Sequence, residues 1–206
     1  YMVSGDKGGV TVVTDSVTSD GLHEYLENTL GDTHYRYRRG YKNVINKAQE
    51  LCKNGIDCPL AIETSGHAAL RENYFLDDGA YLVTKIVIEL ARGKDIEDIL
   101  KPLKTPAEEK ECRFNILCDD FKAYGNMVID ELTKYAESRP DYKIASDNRE
   151  GVRISTENGF FLLRLSVHDP VMPMNFESNV KGGIKKDIDG IRGFFERFKE
   201  LDISSL

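Results

Sequence analysis

The sequence predicts an α/β plus α+β protein: a mixed three-layer α/β domain followed by a smaller domain with an antiparallel sheet and helices. Three observations carry this. In the first half, short β-branched runs alternate with amphipathic helical stretches, the order of a mostly parallel sheet with covering helices. Between Lys101 and Glu111 the composition changes, as Pro102, Pro106, Glu108, Glu109, Lys110 and Glu111 interrupt the periodic patterns. Beyond that break, long helical stripes flank two apolar runs joined at Asn158-Gly159, a tight-turn signal. The expected domains are 1–103 and 113–206, with a linker at 104–112.

Val10 to Thr14 is rich in β-branched residues and reads as a buried strand. Asp15 to Asp20 is polar and loop-like. Leu22 to Leu30 is helical, with Gly31 as its stop. His34 to Arg38 alternates as a strand does. Tyr41 to Lys53 places Val44, Ile45, Ala48, Leu51 and Cys52 on one helical face, with Gly55 past its end. Pro59 to Ile62 is the third strand. Ala80 to Ala91 is apolar around most of its circumference, which predicts a buried helix. In the second half, Arg113 to Leu117 reads as a strand. Asp119 or Asp120 caps a helix whose stripe is Phe121, Tyr124, Val128, Leu132 and Tyr135, with Pro140 after its end. Gly151 to Ser155 and Phe160 to Leu165 form a hairpin around Glu157-Asn158-Gly159, and Pro173 to Ser178 is a further strand. The last helix carries Ile184, Ile188, Ile191, Phe195 and Phe198. There are no internal repeats.

The 206 residues are 40% hydrophobic and 31% charged, the balance of a soluble globular protein. Lys and Arg total 28 against 35 Asp and Glu, for a net charge of −7. That balance argues against nucleic acid or an anionic membrane as the main partner. No apolar run approaches the ~20 residues that span a bilayer, no secretory signal is visible, and a cytoplasmic location is expected. Cys52, Cys58, Cys112 and Cys118 contain no Cys-x-x-Cys, which argues against a zinc or thioredoxin-type site. Their spacing allows two disulfides; reduced thiols are the expectation for an intracellular chain.

Two loops carry chemistry. After the strand at Pro59 to Ile62 come Glu63, Thr64, Ser65, Gly66 and His67. A carboxylate and a hydroxyl at this spacing suit vicinal sugar hydroxyls, because a carboxylate accepts two charge-assisted hydrogen bonds at once. The plainer reading is a turn whose polar groups satisfy orphan backbone donors. His67 either orders the loop or moves a proton. Arg164-Leu165-Ser166-Val167-His168-Asp169-Pro170 places a guanidinium, a hydroxyl, an imidazole and backbone N–H groups on one turn, and Arg binds phosphate in a bidentate fork. Its plainer reading is Arg164 as an outward strand residue paired with Asp169. Arg36, Arg38, Arg39 and Lys42 are interleaved with Tyr35, Tyr37 and Tyr41, as in surfaces that stack bases. In an acidic chain, a solvated strand edge or a second anchor for a small anion fits them better. Asp15 to Asp20 has the composition of a phosphate cradle without its glycines. Asp77-Asp78-Gly79 allows a metal site or a helix cap, and the apolar run that starts at once favours the cap. No Walker loop, Ser-His-Asp order or zinc signature is present.

Gly40-Tyr41-Lys42-Asn43-Val44, Glu63-Thr64-Ser65-Gly66-His67, Leu76-Asp77-Asp78-Gly79-Ala80-Tyr81, Gly151-Val152-Arg153 and Arg164-Leu165-Ser166 stand in one order along the chain. In that order they resemble the α-D-phosphohexomutases, most closely bacterial phosphoglucomutase/phosphomannomutase. The resemblance covers essentially the whole chain and implies the third and fourth of four domains: a sugar-binding α/β domain, then a TBP-like phosphate-binding domain. The family's reaction moves a phosphate between O1 and O6 of a hexose through a phosphoserine and a bisphosphate intermediate.

The resemblance assigns sugar hydroxyls to Glu63 and Ser65, with Tyr41 and Lys42 nearby, and the non-transferred phosphate to Arg164, Ser166 and His168. It makes His67 the candidate for proton handling. The phosphoserine and Mg2+ loops belong to domains that this chain lacks, so the implied fragment holds no metal, needs the missing N-terminal domains and is inactive alone. The implied ligands are hexose 1-phosphate, hexose 6-phosphate and hexose 1,6-bisphosphate. A stand-alone sugar-phosphate-binding module without catalysis is the alternative. Two departures stand out: Val167 and His168 replace an Asn-Thr or Gly-Thr pair of relatives, and Ser16, Val17 and Thr18 stand where relatives often carry a lysine.

Overall fold

The computed structural model of the chain describes residues 1–5 and 8–206. The chain divides into two compact units, Tyr1–Thr105 and Pro106–Leu206.

The first unit alternates strand and helix. Its strands are β1 (Thr11–Asp15), β2 (Thr33–Tyr37), β3 (Leu60–Ile62) and β4 (Ala68–Leu70). Its helices are α1 (Asp20–Glu24), which runs into a π-turn at Tyr25–Thr29, then α2 (Tyr41–Lys53), α3 (Gly79–Ala91) and α4 (Ile96–Leu100). The sheet order is β2-β1-β3-β4. β1 pairs in parallel with β2 and β3, with Val12 opposite His34 and Val13 opposite Ala61, while β4 runs antiparallel to β3. The sheet is therefore mixed, as expected. The two short apolar stretches of β3 and β4 are closed by the Glu63–His67 turn. α2 lays Val44, Ala48 and Leu51 over Val13, Ala61 and Cys58, and on the other side Val10, Val12 and Leu26 form a second cluster.

All four cysteines are free thiols. Burial pushes the Cys58 thiol up to about 12, with Cys52 adding to the effect. In the unfolded chain the group titrates near its ordinary 9.0. Between these values the unfolded state loses a proton that the folded state keeps. The contribution of this thiol is therefore fully present below pH 9 and is lost as pH rises toward about 12. Urea melts of the chain at pH 8 and at about pH 10.5 should show a stability loss that shrinks in Cys58→Ala; an equal loss in both proteins would exclude this thiol as the cause.

The expectation of a buried helix at Ala80 to Ala91 is corrected: α3 forms at Gly79–Ala91 and contains no buried residue. Val83 is 58% exposed and Val87 55% exposed. Periodicity reports how apolar a helix is, not whether its own chain supplies a cover, and the sheet ends at the three-residue β4. Lysine at Val83 or Val87 should accordingly change the thermal midpoint little, by the equivalent of less than about 0.5 kcal/mol, as for other exposed sites.

The second unit is antiparallel. Its strands are β5 (Glu108–Ile116), β6 (Lys143–Ile144), β7 (Val152–Ser155), β8 (Gly159–Leu163), β9 (Val171–Ser178) and β10 (Leu201–Asp202), in the order β10-β5-β9-β8-β7-β6. α5 (Phe121–Glu137) and α6 (Gly183–Phe195) pack on it. Asp120 caps α5 by accepting the Ala123 N–H at 3.0 Å. α6 buries Ile184, Ile188, Ile191, Phe194 and Phe195 against Phe114, Val128, Leu132, Ile154 and Phe161. Each such side chain contributes about 1.5–3 kcal/mol of transfer free energy. The hairpin turn lies where Asn158-Gly159 places it, closed by Thr156 N–H to Gly159 O at 2.9 Å.

The linker expectation at 104–112 differs from the structure, because residues 108–112 are already the start of β5. Its burial alternates, with Cys112, Phe114 and Ile116 inside and Glu111, Arg113 and Asn115 outside. Glu108 lies opposite Ser178 and Cys112 opposite Met174 on β9. A strand whose outer face is charged reads in composition like a linker; backbone pairing with β9 decides otherwise. Among the described residues, no helix is long and apolar enough to cross a membrane.

Candidate functional site

The parallel pairing of β1, β2 and β3 brings their C-terminal ends to one edge of the first sheet. In open α/β sheets that edge is where ligands bind. Asp15 ends β1, Glu63 follows β3 and Gly40-Tyr41 follows β2. Glu63 is 7% exposed and ties these segments together. One carboxylate oxygen accepts the Gly40 N–H at 2.5 Å and the other accepts the Ser65 hydroxyl at 3.0 Å. Gly40 holds φ 114° and Gly66 φ 95°, values that L side chains rarely adopt, so both glycines of the motifs are required by the backbone. The turn itself is closed by Glu63 N–H to His67 O at 2.9 Å and Gly66 N–H to Glu63 O at 3.0 Å.

Beside Glu63, the Tyr41 ring stacks on His67 with centroids 5.0 Å apart and planes 26° from parallel. Lys42 Nζ lies 5.8 Å from the Tyr41 centroid. His67 keeps 49% of its side chain exposed, and its Nδ1 meets Asp77 Oδ2 at 2.7 Å. Glu63 thus meets Ser65 and Gly40, Tyr41 stacks on His67, and Lys42 lies by the Tyr41 ring. The arrangement can accept hydrogen bonds from hydroxyls at the remaining carboxylate lone pairs, present a cation at Lys42 and exchange a proton at His67.

Sequence reasoning named Asp15 and Asp77 but gave them other roles than the ones they hold in this cluster. Asp15, fully buried, accepts the Thr64 hydroxyl at 2.7 Å and the Thr18 hydroxyl at 2.9 Å, which fixes the Glu63–His67 turn from below. Its signal was a carboxylate directly after a fully buried β-branched run. Asp77 accepts the Ala68 N–H at 3.1 Å as well as facing His67, while Asp78 alone caps α3 by accepting the Tyr81 N–H at 2.9 Å. Two aspartates before one helix, where a cap needs only one, was that signal.

The basic cluster divides. Arg36 is 5% exposed and braces the start of α1, donating to Thr18 O at 3.2 Å, Ser19 O at 3.1 Å and Asp20 Oδ1 at 2.7 Å. It is no solvated edge residue: alternation along β2 turns it and His34 inward. The hydroxyls of the Asp15–Asp20 segment are also used locally, since Ser19 accepts the Leu22 N–H at 3.0 Å as the cap of α1.

In the second unit, Arg164, Ser166 and His168 lie on the connection between β8 and β9. Arg164 is 8% exposed, and its backbone N–H reaches Pro173 O at 3.0 Å. Ser166 Oγ accepts the Asp169 N–H at 3.2 Å, which rounds the loop and leaves the hydroxyl proton to donate. Val167 is 69% exposed and His168 is exposed beside it. Burial would raise the Glu111 carboxyl, but the Asn175 hydrogen bond, Arg113 and Arg164 together hold it below its usual range. Among the described residues, no group of three or more His, Cys, Asp or Glu side chains converges as a metal site.

Residues 1–105 match the family model of phosphoglucomutase/phosphomannomutase, alpha/beta/alpha domain III. The chain belongs to the phosphoglucomutase/phosphomannomutase family. It is 29% identical over 128 residues to a phosphoglucomutase of Neisseria meningitidis, covering 62% of this chain and 27% of that protein. Over the same length it is 27% identical to a phosphoglucomutase of Neisseria gonorrhoeae. The fold is similar to that of a phosphoglucomutase/phosphomannomutase family protein from Burkholderia thailandensis, with TM-score 0.72 and 24% identity, covering 92% of this chain and 38% of that one. An N-acetylglucosamine-phosphate mutase solved in its substrate complex has TM-score 0.59 and 10% identity, covering 90% of this chain and 38% of that one. The chain thus spans 27% of the curated relatives and 38% of these solved structures.

Proposed function

We propose that this chain binds a hexose phosphate as part of a phosphoglucomutase/phosphomannomutase. Glu63 and Ser65 hold sugar hydroxyls beside Tyr41 and Lys42, Arg164, Ser166 and His168 hold a phosphate, and His67 exchanges a proton. The observation that carries this reading is the tie from Glu63 to Gly40, which joins the Glu63–His67 turn to the start of α2 at the ligand-binding edge of the sheet. The whole enzyme would move phosphate between O1 and O6. The phosphoserine donor and the Mg2+ site would come from domains outside this sequence, and no step here passes through a metal. A fold relative, N-acetylphosphoglucosamine mutase of Aspergillus fumigatus, has been solved with GlcNAc-6P and magnesium and, as its S69A variant, with glucose 1,6-bisphosphate. Those ligands share the chemistry proposed for this chain. Positioning and electrostatics supply most of phosphoryl-transfer catalysis, so residues that only bind still shape the rate.

Calorimetric titration of the chain with glucose 1-phosphate, glucose 6-phosphate and mannose 1-phosphate tests the reading. Binding near 1 mM is expected, about −4 kcal/mol. Glu63→Gln should abolish saturable heat, because the amide either sets an N–H against the Gly40 N–H or keeps that bond and turns an N–H, in place of an acceptor, toward Ser65 and the sugar hydroxyls. Saturable binding that survives Glu63→Gln unchanged would place the sugar elsewhere.

A further inference from the structure

The geometry points to Asp77 as the positioning residue of His67: its carboxylate holds the imidazole with the proton on Nδ1, so that Nε2 is the basic nitrogen offered to the sugar. The inference rests on the reading that His67 exchanges a proton at this site, and extends it to a residue that the sugar does not touch. Four contacts support it. Asp77 Oδ2 lies 2.7 Å from His67 Nδ1, the short distance of a charge-assisted hydrogen bond. Asp77 Oδ1 accepts the Ala68 N–H at 3.1 Å, and the Asp77 backbone forms a β-bridge with Ala69, so one carboxylate oxygen and the residue's backbone are both tied to β4. The Tyr41 ring covers one face of the imidazole. Among the described residues Nε2 has no hydrogen-bond partner, and the side chain remains 49% exposed.

An ionised carboxylate only accepts, so the ring nitrogen that faces it carries the hydrogen. In the neutral imidazole the other nitrogen, Nε2, then holds the lone pair. When Nε2 takes a proton from a hydroxyl, the ring becomes an imidazolium, Nδ1–H stays on Asp77, and the carboxylate remains ionised beside the new positive charge. Asp78 does not share this task, because its side chain is taken by Tyr81 N–H and Asn73. A purely structural role for Asp77, as a staple between β4 and the start of α3, would use the Ala68 bond alone and leave the tautomer of His67 indifferent to the charge.

The test needs no ligand, so it fails independently of the hexose-phosphate reading. Nitrogen-15 correlation spectra resolve the tautomer of each of the four histidines of the chain. In the wild type, at a pH where His67 is neutral, the Nδ1–H form should predominate. In Asp77→Asn the amide can donate to Nδ1, and the predominant form should reverse to Nε2–H, as an amide at such a position permits the wrong tautomer elsewhere. Asp77→Glu should restore Nδ1–H at least in part. Unshifted His23 and His34 resonances report that the first unit is still folded in each variant. A wild-type His67 in the Nε2–H form, or an Asn variant with the wild-type ratio, would overturn the inference. If Asp77→Asn does not fold, the wild-type and Asp77→Glu spectra decide it on the same criterion.

Discussion

Arg164→Ala is expected to weaken binding of glucose 1-phosphate by the chain at least tenfold. The side chain lies at the end of β8, 8% exposed, where the loop to β9 turns back on itself. Its backbone bond to Pro173 O does not depend on the side chain, so the loop should keep its course in the variant. What is lost is the guanidinium, the group that matches phosphate with two parallel donors. Hydrogen bonds to charged groups are worth about 1.5–3 kcal/mol, which is about tenfold to more than a hundredfold in affinity. Arg164→Lys should recover only part, because an ammonium supplies charge without the fork. In the proposed reading the Ser166 hydroxyl, which accepts from Asp169 and can still donate, would leave residual binding. Calorimetry with inorganic phosphate tests this loop by itself: its affinity should fall in the variant as that of the sugar phosphate does. Equal affinities for wild type and Arg164→Ala would move the phosphate off this loop.

The largest stability effect is expected at Phe195, at the end of α6. Phe195→Ala should destabilise the second unit by about 3–5 kcal/mol, the usual range for deleting a buried aromatic ring. Phe195 is fully buried and meets Phe114 and Phe194 edge-on, each with a centroid separation of 5.1 Å. Phe114 belongs to β5, the nine-residue strand between β10 and β9, so the ring links α6 to the second sheet. Domains are stable by about 5–15 kcal/mol, so this single loss takes a large fraction. Hydrogen exchange followed by mass spectrometry should show the loss across β5, β9 and α6. Protection retained in those segments would mean that the cavity collapses at low cost.

Much of this protein was legible from its residues alone. The boundaries of α2 were readable because an amphipathic stripe with Gly55 beyond it defines a helix locally. The Asn158-Gly159 hairpin was readable because Asn-Gly is a local turn signal, but neither residue holds a positive φ here: the glycine is required by the close approach of β9, where a Cβ would run into Glu177 O. A cap at Asp119 or Asp120 was readable because an aspartate just before an amphipathic stripe satisfies orphan N–H groups, and the structure selects Asp120. Glu63, Ser65 and His67 stood out because they cluster where an apolar run stops, whereas Tyr41 and Lys42 were implied only by the family resemblance. Other features are not local. Arg36 looked like a surface cation, and only the β2 register shows it turned inward to brace α1. The charged stretch at 108–112 looked like a linker, and only pairing with β9 makes it a strand.

The sequence by itself determined the two-part architecture, the family and the residue types at each loop, since hydrophobic period, turn chemistry and ordered motifs are properties of neighbouring residues. Only the tertiary structure decided that Glu63 ties the turn to Gly40, that Asp15 anchors Thr64 and that Asp77 rather than Asp78 faces His67. It also decided that α3 has no buried residue. The physical reason is the same in each case. A hydrogen bond across 23 or 49 residues, or the cover over a helix face, depends on which chain segments the sheet brings together, and no local pattern encodes that placement.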